Sequence, residues 1–424
     1  MNTIQGKNIH ELMISIGKDA RDAARVLAIT TAEIKNKAIL AIAKAIRRNQ
    51  AMIQNANEKD LAQAKQKGLS AAFMDRLLLD NNRIEAMAKG LEAIAELNDP
   101  IGTTLATIKR PNGLKIIRVR IPIGVIGVIY ESRPNVTTDA AGLCLKSGNA
   151  VILRGGSESF HSSSAIMAAI HEGLHTATLP KAAIQMIPTS DRTAVSEMLS
   201  MDKYIDVLIP RGSQQLIEYI SANTRIPLFK HAAGLCHTYI HEAADLDMAK
   251  NLVHNAKMRR TGICGATEIL LIDQAIVSSH LPTIIEDLHN AGCEIRGDEP
   301  VVKLDSRVKL ASEQDYKTEF LDAIIAIKVI NDLASAIEHI VSHGSHHTEA
   351  IITEDKAAAE RFLKEIDSAI VMHNASTQFA DGGEFGMGAE MGIATGKLHA
   401  RGPVGVEQLT TFKYLVYGNG QVRP

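Results

Sequence analysis

Ala150-Val151-Ile152-Leu153-Arg154-Gly155-Gly156-Ser157 is a short apolar run that ends in an arginine, two glycines and a serine. Such a run reads as a buried strand, and Gly-Gly-Ser reads as the turn into a helix, here extending through about His175. The grammar recurs. Ala183-Ile184-Gln185-Met186-Ile187-Pro188 precedes a helix around Thr193 to Leu199, and Asp206-Val207-Leu208-Ile209-Pro210 runs through Arg211-Gly212-Ser213 into another. Short β-rich runs alternating with helices predict an α/β fold with a parallel, doubly wound sheet. Ligands on such sheets bind at the carboxyl ends of the strands.

Outward from this stretch the pattern changes. Residues 10 to about 98 read as successive helices. Ile34, Ala38, Ile42 and Ile46 form one apolar stripe at spacing four, with Lys35, Lys37, Lys44, Arg47 and Arg48 on other faces. Asn98-Asp99-Pro100-Ile101-Gly102 closes that region. Leu114 to Arg120 alternates as an exposed strand does, Pro122 interrupts it, and Val125 to Tyr130 reads as a buried strand. A second α/β block begins near 237, with strands expected at Thr238 to His241 and near 269–272, 324–330 and 350–353, and a helix from Asp245 to Ala256. Residues 374 to 405 are dense in glycine, and Gln408 to Val416 reads as a final strand. Leu114 to Ile123 and the terminal segment are apolar enough to aggregate as open edges, so they are expected to pair across subunits.

Composition narrows the function. The chain has 424 residues, of which 46% are apolar and 22% charged, with 46 basic and 48 acidic residues and a net charge of −2. It has no basic block for nucleic acid, no acidic tail, and no apolar run near the ~20 residues of a membrane span. The first residues lack the apolar core of a signal peptide. Cys144, Cys236, Cys264 and Cys293 lie far apart with no Cys-x-x-Cys pair, so neither zinc nor a disulfide framework is expected, and a cytoplasmic setting is.

Cys264 is the candidate nucleophile. It stands in Lys257-Met258-Arg259-Arg260-Thr261-Gly262-Ile263-Cys264-Gly265, where flanking glycines open the backbone and three nearby cations favour thiolate. The turns Gly155-Gly156-Ser157 and Gly212-Ser213 suit a nucleotide phosphate, since glycine permits close approach and helix amino ends attract anions. Arg154 either meets a ribose phosphate or is a solvated surface residue. Asn135 is either an oxyanion donor, together with the Cys264 N–H, or a turn residue. Residues 374–390 are too polar and glycine-rich for core and are expected either to line a site or to be mobile. His343, His346 and His347 lack a carboxylate or thiol that would complete a metal site, so no metal is expected. Cys236 and His237 are adjacent on a strand and face opposite ways, so they do not form a dyad.

Glu131-Ser132-Arg133-Pro134-Asn135-Val136-Thr137, Gly148 through Glu158, Ile209-Pro210-Arg211-Gly212, Asp381-Gly382-Gly383-Glu384-Phe385-Gly386 and His399-Ala400-Arg401-Gly402-Pro403 resemble the gamma-glutamyl phosphate reductase family, the glutamate-5-semialdehyde dehydrogenases of the aldehyde dehydrogenase superfamily. The resemblance implies two parallel-sheet α/β domains and a small β oligomerisation arm. The cofactor-binding domain would take residues 1–102 and 124–236, the catalytic domain 237–398, and the arm 103–123 and 399–424. It implies NADP(H)-dependent reduction of gamma-glutamyl phosphate in proline biosynthesis, through a thioester on Cys264 with Asn135 at the oxyanion. The coenzyme would lie against Arg154, Gly155, Gly156, Ser157, Gly212, Ser213 and Glu319, the last at the nicotinamide ribose. NADP is expected over NAD because Ser157 stands where many NAD-using relatives carry a glutamate. Ser376, Glu384 and Arg401 are candidates for the substrate's amino acid head. A homo-oligomer and association with glutamate 5-kinase are implied too. Cys144, Cys236 and Cys293 are expected to be replaceable without loss of turnover.

There are departures. The family's Pro-Ser-Val-Cys-Asn reads Thr261-Gly262-Ile263-Cys264-Gly265, and its Asn-Ala-Ser-Thr-Arg ends in Gln378. Hydrolytic aldehyde dehydrogenases carry a glutamate base where His231 falls here. A hydrolytic aldehyde dehydrogenase and a non-catalytic nucleotide-binding oligomer remain the alternatives.

Overall fold

Helices α1 (Gly6–Leu27), α2 (Ala32–Arg48), α3 (Gln50–Gln66), α4 (Ala71–Leu77) and α5 (Asn81–Glu96) open this computed structural model, which describes residues 6–230 and 233–423. Each of α2, α4 and α5 starts where a side-chain oxygen, from Thr31, Ser70 or Asp80, accepts a backbone N–H of the first turn. The α2 stripe is rotated from its expected place. Ala38, Ile39, Ile42 and Ile46 are buried, but Ile34 is 40% exposed and Lys35 is fully buried. Lys35 Nζ lies 2.5 Å from Asp99 in the turn beyond α5, and this pairing is what lets a lysine occupy the inward face.

After β1 (Thr104–Lys109) and β2 (Lys115–Pro122), the expected alternation begins: β3 (Val125–Tyr130), α6 (Val136–Lys146), β4 (Ala150–Gly155), α7 (Phe160–Thr176), β5 (Ile184–Met186), α8 (Thr193–Leu199), β6 (Val207–Arg211) and α9 (Gln214–Asn223). The four strands form a parallel sheet in the order β5-β4-β3-β6. Every residue of β3 and β4 is buried, as the continuous apolar runs require of strands covered on both faces.

The second sheet is built from β7 (Cys236–Ile240), α10 (Leu246–Met258), β8 (Thr267–Asp273), α11 (Val277–Asn290), β9 (Glu294–Gly297), α12 (Glu299–Leu304), β10 (Lys309–Leu310), β11 (Ile324–Ile330), α13 (Leu333–His343), β12 (Thr348–Ile352), α14 (Lys356–Glu365) and β13 (Ile370–His373). Its order is β10-β9-β11-β8-β7-β12-β13, all parallel. Apolar clusters cover both faces. The strands β9 and β13 were not expected; both are four residues long and mix polar with apolar positions.

Beyond a two-residue pair, β14 (Ile393–Ala394) with β15 (Gly402–Pro403), the chain ends in β16 (Thr410–Tyr417). It forms a three-stranded antiparallel sheet in the order β1-β2-β16. Here the structure corrects the edge argument. β2 is paired on both sides within its own chain, so the open edges are the outer ones of β1 and β16. β16 exposes Phe412, Tyr414, Val416 and Tyr417.

Two compact units result. One takes the described residues up to Lys230, Gly386–Gly392 and the chain from Val404 onward; the other takes those from 233 to Phe385 and Ile393–Pro403. The first unit therefore includes the β1-β2-β16 sheet. No helix among the described residues is long and apolar enough to cross a membrane.

Candidate active site

In the first unit, the candidates gather at the carboxyl edge of β3, β4 and β6. Three turns leave that edge, and two carboxylates lace them together. Glu158, after β4, accepts the Ser132 N–H after β3 at 2.7 Å. Glu131, after β3, accepts the Ser213 N–H before α9 at 2.9 Å. The lacing explains two glycines. A Cβ at Gly156 would collide with the Glu158 carboxylate, and one at Gly212 would lie 2.6 Å from Glu131 Oε2. Ser132 itself is left-handed, with φ of 48°, a conformation uncommon for residues other than glycine. Nothing local in the sequence marks these two glutamates.

Ser213 caps α9 by accepting the Leu216 N–H, and Ser157 is exposed. Arg154 is not a solvated surface residue. It is 6% exposed, donates to the carbonyl oxygens of Gly155 and Ser190, and keeps a buried Nε without a partner among the described residues. Asn135 precedes α6 without capping it. Its Nδ2 instead donates to Asp139 Oδ2 at 3.0 Å, one turn along. Burial pushes the Asp139 carboxyl up to about 6, against the opposing pull of the Asn135 hydrogen bond and the Arg211 charge.

In the second unit, Cys264 lies on the turn that leads into β8, at the amino edge of the sheet, and is partly exposed. Its seat is shaped by glycine. A Cβ at Gly234 would lie 2.6 Å from Cys264 Cβ and 2.5 Å from its Cα. Gly234 is held in turn by Glu319, whose Oε1 accepts the Gly234 N–H at 2.8 Å. From below, Cys236 Sγ donates to the Cys264 carbonyl at 3.0 Å.

The cations expected to favour thiolate do not act as a group. Lys257 is fully buried, with Nζ 2.5 Å from Glu268 Oε2, and this pair joins the end of α10 to the start of β8 on either side of the Cys264 turn. Burial pushes Glu268 up to about 7, against Lys257 and the Leu321 N–H. Arg259 and Arg260 are exposed. Gln378 braces the same turn by donating to Ala256 O at 2.9 Å and Arg260 O at 3.3 Å. Thus the start of the polar tail is core after all: Ser376, Thr377 and Gln378 are at most 4% exposed.

The three candidates for the substrate head are not hydrogen-bonded to one another among the described residues. The Ser376 hydroxyl accepts the Gln378 N–H, Arg401 donates to Asp367 Oδ1 at 2.6 Å, and Glu384 is exposed on its loop. His231 lies outside the described residues. Cys236 and His237 do diverge. The former faces His347, whereas His237 Nδ1 meets the buried Glu349 at 2.9 Å. His343 stacks on His339, and His346 meets the Asp367 carbonyl.

Comparison with known proteins places this geometry. A model of the aldehyde dehydrogenase family matches residues 9–304. The chain is 60% identical, over 98% of its length and 99% of the relative's, to a gamma-glutamyl phosphate reductase of Paramagnetospirillum magneticum. It is 43% identical to the gamma-glutamyl phosphate reductase of Thermotoga maritima, whose crystal structure superposes with a TM-score of 0.94 over 97% of this chain and all of that one. An engineered glycolyl-CoA reductase with bound NADP+ shares the fold at 15% identity, with a TM-score of 0.70 over 95% and 96% of the two chains. The chain belongs to the aldehyde dehydrogenase family, among its gamma-glutamyl phosphate reductases.

Proposed function

We propose that the protein reduces gamma-glutamyl phosphate to glutamate 5-semialdehyde with release of phosphate, in proline biosynthesis. The observation that carries this reading is the full-length similarity to gamma-glutamyl phosphate reductases, joined to a partly exposed thiol seated at the amino edge of the second sheet.

The Cys264 thiolate attacks the acyl carbon, the bond to the phosphate oxygen breaks, and phosphate leaves, giving a thioester. After reduction of that carbonyl, the oxyanion re-forms C=O, the C–S bond breaks, and Cys264 returns as thiolate. Covalent catalysis divides one difficult displacement into easier steps. Asn135 and the Cys264 N–H are proposed to stabilise the oxyanion, each donor being worth on the order of 3 kcal/mol of barrier.

A nicotinamide dinucleotide supplies the hydride when bound. The carboxyl edge of the first sheet fits such a group: the unpartnered Arg154 Nε is a buried donor there, and Gly155, Gly156, Ser157, Gly212 and Ser213 line turns into helices. We assign NADP(H) as the preferred form, with Arg154 the residue favouring a 2′-phosphate and Glu319 toward the nicotinamide ribose. The exposed aromatic face of β16 supports homo-oligomer formation. Association with glutamate 5-kinase and a cytoplasmic setting complete the proposal.

The test is oxidation of the semialdehyde with NADP+, with and without phosphate. Phosphate-dependent coenzyme reduction, with an acyl phosphate trapped by hydroxylamine, is the expected result. Equal rates without phosphate and free glutamate as product would replace this reading with a hydrolytic aldehyde dehydrogenase.

A further inference from the structure

Two sequence features left without a role meet beneath the nucleophile. Cys236 opens β7 and His347 immediately precedes β12, and these neighbouring strands bring Cys236 Sγ to 3.5 Å from His347 Nδ1. Cys236 is fully buried, and its Sγ also reaches the Cys264 carbonyl at 3.0 Å. A thiol has one proton. Directed at that carbonyl, it leaves the sulfur to accept from His347, with the imidazole proton on Nδ1. Thr348 Oγ1, 2.9 Å from the same nitrogen, accepts from that N–H as well, so the Nδ1 proton is shared between the hydroxyl oxygen and the sulfur. Burial pushes the Cys236 thiol well up, so it stays protonated and remains a donor.

We propose that Cys236 is a positioning residue for the nucleophile: its S–H, oriented by His347, holds the Cys264 carbonyl and thereby sets the backbone from which the reactive thiol projects. The inference rests on Cys264 being that nucleophile. An S–H bond is weak on its own, but what it satisfies is a part-buried carbonyl close against the Gly234 backbone, and an acceptor held from water costs free energy when it loses its donor. This revises the expectation that all three other cysteines are replaceable without loss of turnover: Cys144 and Cys293, buried in the cores, keep it, and Cys236 does not.

The experiment compares Cys236→Ala and Cys236→Ser in the full-length enzyme, with Cys264→Ala alongside. Steady-state oxidation of the semialdehyde and the rate of Cys264 carboxamidomethylation, resolved by peptide mass spectrometry, are both measured. Cys236→Ala is expected to lower kcat roughly ten- to a hundredfold, the rate equivalent of one unpaired, part-buried carbonyl, with KM for aldehyde and coenzyme unchanged. Cys264 alkylation changes in parallel. Cys236→Ser, which restores a donor, recovers most of both. If Cys236→Ala folds poorly, Cys236→Val removes the donor while filling the space. Wild-type kcat in the folded Ala or Val variant, or equal losses in Ala and Ser, would overturn the proposal. Full turnover in Cys264→Ala would instead bring down the nucleophile assignment on which it rests.

Discussion

The two parallel sheets carry their candidate site residues on opposite edges. In the first, β3, β4 and β6 end in turns that run into helices, so the candidate coenzyme residues sit at the carboxyl edge beside helix amino ends. In the second, Cys264 precedes β8, at the edge where strands begin. That edge has no helix amino end immediately after its strands to attract an anion. Its site is assembled from packing instead: Gly234 against Cys264, Cys236 under the carbonyl, and Gln378 on the flanking carbonyls. A carboxyl-edge site is a local product of strand, turn and helix, whereas an amino-edge site depends on segments far apart in the chain.

The largest test of this contrast is Cys264→Ala. Turnover should fall at least ~1,000-fold, as loss of a covalent nucleophile does, while coenzyme binding, measured by fluorescence or calorimetry, stays near wild type. Substantial residual turnover in pure protein would break the assignment. Next comes Gly234→Ala. The added methyl has no room against the Cys264 backbone, and overpacking of about 1–3 kcal/mol should cost ten- to a hundredfold in kcat, again with coenzyme affinity preserved. A variant with normal kcat would mean that the seat under Cys264 yields easily.

The first sheet is probed by Arg154→Ala, which should raise KM for NADP(H) about tenfold, the scale of one charge-assisted contact, and change KM for NAD(H) much less. Equal changes for both coenzymes would limit Arg154 to bracing the carbonyls of Gly155 and Ser190. The smallest effect is expected at Asp139. Its carboxyl, raised to about 6 by burial, holds its proton more tightly in the folded protein than in the unfolded chain. Its contribution to stability is therefore full below the ordinary carboxylate range, about pH 4, and is lost as pH rises through about 6. Asp139→Asn should thus raise the melting temperature by a few degrees near neutral pH and leave it unchanged near pH 4. A gain of equal size at both would contradict a titrating origin.

The contrast also accounts for what the sequence made legible. Gly155-Gly156-Ser157 and Gly212-Ser213 were readable because strand, turn and helix are contiguous there. Cys264 stood out through its flanking glycines and the family resemblance. Its supports did not, because Cys236 and His347 are 111 residues apart and Gln378 lies 122 residues from Ala256. Charge was misread where pairing was nonlocal. Lys35 and Lys257 look like surface cations, yet each is buried against a carboxylate on another segment. Arg154 was placed correctly at a strand end, but whether it faced water depended on Ser190, 36 residues on. The strands β9 and β13 escaped notice because four residues are too few for an alternation to emerge.

The most direct measurement of the central claim is mass spectrometry of the enzyme quenched after mixing with semialdehyde and NADP+ in phosphate-free buffer. The account predicts a glutamyl thioester on the Cys264 peptide, which disappears on addition of phosphate as acyl phosphate appears. An adduct on a different residue, or a Cys264 adduct that hydrolyses to glutamate at the same rate whether or not phosphate is present, would contradict it.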